Sequence, residues 1–126
     1  MERCGMSDWK PGTKNPHGAY RPHEVLDLRY KTGGTPRAEI SLVQTREGWR
    51  SKRGFSFRTG DWWGSSGPIT DHCTPHPTRE EAIREQINSL HNDFAKIKDA
   101  AQQREAREIL AWADSLLPAQ KDLFAA

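Results

Sequence analysis

The stretch Asp71-His72-Cys73-Thr74-Pro75-His76 brings together four side chains able to ligate a metal or move a proton. Cys73 and His76 have the C-x-x-H spacing of half a zinc site, where a thiolate and an imidazole close two corners of a tetrahedron. The other half would have to come from Cys4 with His17 or His23, whereas a zinc site ordinarily shows a compact ligand pair on each side. The stretch therefore reads as a polar loop, and neither a metal nor another cofactor is expected. Nucleophile motifs are equally scarce: the chain has no G-x-S-x-G, no P-loop and no H-E-x-x-H. Glu80, Glu81, Glu105 and Glu108 read as helix carboxylates that pair with cations such as Arg84 and Arg104, not as acid–base groups. A protein that is not an enzyme is the expectation; a metal-dependent nuclease around His72, Cys73 and His76 is the catalytic alternative.

A second constellation mixes cations with rings. Between positions 46 and 58, Arg46, Arg50, Lys52, Arg53 and Arg58 stand against the single acid Glu47, around Trp49, Phe55 and Phe57, with Trp62 and Trp63 just beyond. Cations that neutralise phosphates and rings that stack on bases are the ingredients of nucleic-acid contact. Arg46, Trp49, Arg50, Lys52, Arg53 and Arg58 are accordingly the candidate DNA-binding residues. The competing reading makes the rings core and the cations the solubilising face of a strand.

The third candidate is "QKDLF", Gln120 to Phe124, beyond Pro118. Two large apolar side chains on a polar segment gain about 1.5–3 kcal/mol each when seated in a partner's pocket. Ordering the segment consumes part of that, leaving an affinity on the order of micromolar. Gln120, Asp122, Leu123 and Phe124 match the bacterial sliding-clamp-binding motif, which this segment resembles; Lys121 stands where leucine is common. The resemblance covers five residues and implies a protein partner, the bacterial DNA polymerase sliding clamp. It implies nothing about the preceding domain.

These candidates need elements to hold them. With 126 residues, 34% of them apolar, the chain suits one domain with a small core. No apolar run approaches the roughly 18 residues of a membrane span and no signal-peptide pattern is present, so a cytoplasmic protein with two reduced cysteines is expected. Residues 1–77 carry 12 Lys+Arg against 8 Asp+Glu, and 78–126 carry 7 against 9, so the first part is the mildly basic one. Residues 1–23, with three prolines and little apolar periodicity, read as a flexible leader.

A single domain over 24–117 follows. Val25, Leu28 and Tyr30 mark a first strand, and the period-two alternation of Ile40 and Leu42 with Ser41, Val43 and Thr45 marks a half-buried second. The segment from Trp49 to Phe57 supplies a third, and Ile69 to His72 a short edge strand. Thr78 with Glu81 forms a capping box ahead of the stripe Ile83, Ile87, Leu90, Phe94 and Ile97. The stripe loses phase, and Asp99 with Gln102 starts a second helix through Ala106, Ile109, Leu110, Ala113 and Leu116. Helices over 79–97 and 100–117 are predicted, with Pro118 ending the second and 118–126 forming a tail. The fold class is α+β: a small antiparallel sheet of three to four strands packed on a helix, then a second helix. The combined reading is an accessory protein of bacterial or mobile-element DNA metabolism that docks on the sliding clamp. Its rival is a phage or plasmid inhibitor that acts by protein interaction on a host defence system.

Overall fold

Residues 38–56 form the two longest strands, because their alternating apolar side chains can line one face while a two-residue turn at Arg46-Glu47 reverses the chain. A computed structural model describes residues 9–118. In it β1 (Glu24–Leu28), β2 (Ala38–Thr45), β3 (Gly48–Ser56) and β4 (Trp63–Ser65) form an antiparallel meander in the order β1-β2-β3-β4. Helices α1 (Arg79–Phe94) and α2 (Ala100–Asp114) follow, giving the α+β architecture.

The fourth strand is not the expected one. Residues 69–72 run through a turn, with Ile69 buried and its carbonyl accepting the Tyr20 N–H at 2.8 Å. Trp63–Ser65 takes the edge instead, pairing Ser56 with Trp63 and Gly54 with Ser65. Gly64 permits this, since a Cβ there would lie 2.7 Å from the Phe55 ring.

Both helix starts lie where their caps put them. Thr78 Oγ1 accepts the Glu81 N–H at 3.1 Å, and an Asp99 carboxylate oxygen accepts the Gln102 N–H at 3.0 Å. These are the N-cap halves of the two capping boxes, and the Gln102 side-chain amide N–H donates to the Thr59 carbonyl at 3.1 Å. Both helices are also shorter than their apolar stripes: Ile97 and Leu116 lie past the helix ends, where they still pack on the core.

Register puts Leu26, Leu28, Ala38, Ile40, Leu42, Phe55 and Phe57 on the face covered by α1, and α2 adds Ala106, Ile109 and Ala113. Phe94, the last residue of α1, meets the rings of Phe55, Phe57 and Trp62 at centroid distances of 5.0, 5.2 and 5.9 Å. Glu24 on β1 holds α1 through two hydrogen bonds from the Arg79 guanidinium, at 2.8 and 2.7 Å.

The opposite face is not solvated as the alternation of β2 suggested. Ser41 and Val43 are buried, while Ala19, Val43 and Ile69 are buried outside the principal core. Residues 9–23, expected as a loose leader, follow a defined course there. Lys14 bridges Tyr20, the Gly12 N–H donates to the Arg21 carbonyl, and the His23 N–H to the Leu42 carbonyl. A further bridge joins Trp49 to His76 through hydrogen bonds of 2.7 and 2.8 Å. Gly48 allows that approach: its φ is +143°, and a Cβ would stand 2.5 Å from the His76 carbonyl oxygen.

Candidate functional site

The six candidate DNA-binding residues do not share a surface, because alternate positions of a strand point to opposite faces. Trp49, Ser51, Arg53 and Phe55 look toward α1. There the Arg53 guanidinium pairs with Asp93 and donates to Ser89 Oγ at 3.1 Å, while Trp49 is half-buried against the core. Arg50 is on the other face and only 4% exposed. Its guanidinium donates to the carbonyls of Asp71, at 3.0 Å, and Cys73, with Thr45 Oγ1 and Glu47 completing its partners. A phosphate could reach it only by displacing the 71–73 loop.

Arg58 is exposed, with its guanidinium 3.9 Å from the centre of the Tyr30 ring and hydrogen-bonded to Thr32 Oγ1. Arg46 occupies the tip of the β2–β3 turn and Lys52 the outer sheet face, each without an ion-pair or hydrogen-bond partner among the described residues. Trp62 is half-buried with its ring packed against the core, while Trp63 is 71% exposed on β4.

The network around Tyr30 has no local sequence signature, since its members come from three separate segments. The Glu105 carboxylate on α2 accepts the backbone N–H groups of Arg58, at 3.1 Å, and Thr59, at 2.8 Å, and the Tyr30 hydroxyl at 3.0 Å. Burial tends to raise the Glu105 pKa, but the bonds from Thr59, Arg58 and Tyr30 outweigh it and hold the carboxyl below its usual range. Desolvation, then the bond to Glu105, raises the Tyr30 hydroxyl. The carboxylate thus clamps α2 to the Arg58-Thr59 turn.

Because the folded value of Glu105 is depressed, its contribution to stability is complete above the unfolded value near 4.5 and disappears as pH falls through the folded one. Glu105→Gln should lower stability at pH 7 by about 1 kcal/mol, discounted for partial exposure, and reduce the loss between pH 5 and 3. Urea titrations of both proteins across that range read the difference. Parallel acid limbs would contradict the assignment.

The two carboxylates predicted to pair within α2 both reach other elements: Glu105 as above, and Glu108 to Arg37, whose guanidinium also lies over the Tyr30 ring at 5.1 Å. The Asp71–His76 loop is occupied in the same way. Hydrogen bonds from Lys14 and then Tyr20 hold the Asp71 carboxyl below its usual range. His76 Nε2 lies 2.6 Å from a Glu85 carboxylate oxygen, and Cys73 Sγ accepts the Thr70 N–H at 3.5 Å. Among the described residues no three of His, Cys, Asp and Glu are grouped to hold a metal, and Cys4 lies outside them.

Gln120, Asp122, Leu123 and Phe124 also lie outside the described residues, which end at Pro118. Comparison with models of protein families, with curated proteins and with solved structures finds no match to this chain.

Proposed function

We propose that this chain is a non-enzymatic accessory protein of bacterial or mobile-element DNA metabolism that binds the DNA polymerase sliding clamp through Gln120, Asp122, Leu123 and Phe124. The observation that carries the reading is the match of those four positions to the clamp-binding pattern. The domain supplies the setting: Leu117 is buried in the core and Pro118 is exposed, so the chain reaches the surface just before the motif. In this reading Leu123 and Phe124 fill an apolar pocket of the clamp, while Gln120 and Asp122 orient the segment by hydrogen bonding.

The test compares the intact chain with a Leu123→Ala, Phe124→Ala double variant by calorimetric titration against a purified bacterial sliding clamp. Micromolar binding by the intact chain should weaken roughly 100-fold or more in the variant, the equivalent of losing about 1.5 kcal/mol or more at each position. No measurable binding by the intact chain, or equal binding by both, would sink the reading.

A further inference from the structure

Between the Thr59–Asp61 turn and the Ala95–Asp99 linker lies an open groove of about 640 Å³, within the size range of small-ligand sites. Trp62 and Ile97, both half-buried, supply its apolar surface, and Lys96 and Lys98 line it from the linker. The charges around it are unequal in availability. Asp93 is engaged by the Arg53 guanidinium, and Asp99 caps α2 by accepting the Gln102 N–H. Lys96 and Lys98 are exposed and have no ion-pair or hydrogen-bond partner among the described residues. Gln102 donates its amide to Thr59, leaving the side-chain oxygen as an acceptor beside the groove. Asp61 is exposed in the adjoining turn but does not line the groove.

We infer that this groove binds a nucleotide unit of single-stranded nucleic acid, with the base against Trp62 and Ile97 and the flanking phosphates neutralised by Lys96 and Lys98. Ring stacking and uncommitted cations combined in one cleft are what single-strand binding requires, and the β2–β3 hairpin does not combine them. An unstacked base fits such a cleft, whereas a base within a duplex is already stacked. The inference is independent of the clamp-binding segment, and its test does not involve the clamp.

Fluorescence anisotropy of the full chain with a labelled 12-nucleotide oligothymidylate, and with a duplex of equal length, at 50 to 200 mM salt provides that test. Single strand should be preferred. Lys96→Ala with Lys98→Ala should weaken binding at least tenfold at 50 mM salt and reduce the log–log salt slope by about 1.4, or roughly 0.7 per lost phosphate contact. Arg46→Ala with Lys52→Ala should leave both unchanged. Saturating oligonucleotide should quench tryptophan emission, and less so in Trp62→Phe, a substitution that keeps a ring in the core. Any of four results would overturn the proposal: no binding, an unchanged slope in the lysine variant, loss confined to the Arg46/Lys52 variant, or equal binding of polyglutamate, which would point to an acidic protein surface.

Discussion

Replacing Phe94 by alanine is expected to cost about 3–5 kcal/mol, the range for removing a buried phenyl ring. Phe94 is 5% exposed and closes α1 against three rings, so truncation leaves a cavity where the sheet, the helix and the Trp62 segment meet. The edge-to-face contacts with Phe55 and Phe57 add to the loss, at about 0.5–1.5 kcal/mol per pair. Domains of this size have total stabilities of roughly 5–15 kcal/mol, so the midpoint of thermal unfolding should fall by about 10–25 °C. Trp63→Ala supplies the contrast. Its ring is 71% exposed, and stability should change by no more than about 0.5 kcal/mol. Thermal melts followed by near-ultraviolet circular dichroism would read both, and similar effects at the two positions would contradict the packing described.

The second large effect is expected at Arg50. Its guanidinium fastens the 71–73 loop to the outer sheet face through the Asp71 and Cys73 carbonyls. Arg50→Ala removes both bonds and opens space under the loop, at a cost of roughly 2–4 kcal/mol. Arg50→Lys should recover only part of this, since an ammonium cannot reproduce the fork that reaches two carbonyls together with Thr45 and Glu47. Amide hydrogen exchange at Trp49 and His76, whose mutual bridge abuts the loop, should accelerate in the alanine variant. Unchanged protection there would show that the loop is held by other contacts. A nucleic-acid contact at Arg50 predicts weakened binding with stability unchanged on its removal; its burial predicts the reverse.

Arg50 shows what the sequence of the hairpin leaves undecided. Composition reports that cations and rings are neighbours along the chain, but a strand sends neighbours to opposite faces, and register assigns each face its cover. Arg53 finds Asp93 forty positions away, and Ser51 donates to the Ala82 carbonyl while accepting from Gln86, a buried polar chain between sheet and α1. These partners carry no periodic signal. The same holds for the edge strand: Ile69 is apolar and flanked by turn residues, as an edge strand would be, but its burial against the second sheet face left that role to Trp63–Ser65.

Local chemistry sufficed for the rest. The α+β class, the three long strands and the two helix starts were all readable, because side-chain alternation and a capping hydroxyl or carboxylate act within a few residues of the backbone they shape. Packing Trp62 half-buried against the core while Trp63 faces solvent, burying Arg50, and bringing Tyr30, Arg58 and Glu105 together depended on contacts between distant segments. Adjacent residues of the same type can have opposite fates because burial is decided by what the folded chain lays over each face, and that covering is a property of the whole assembly of strands and helices.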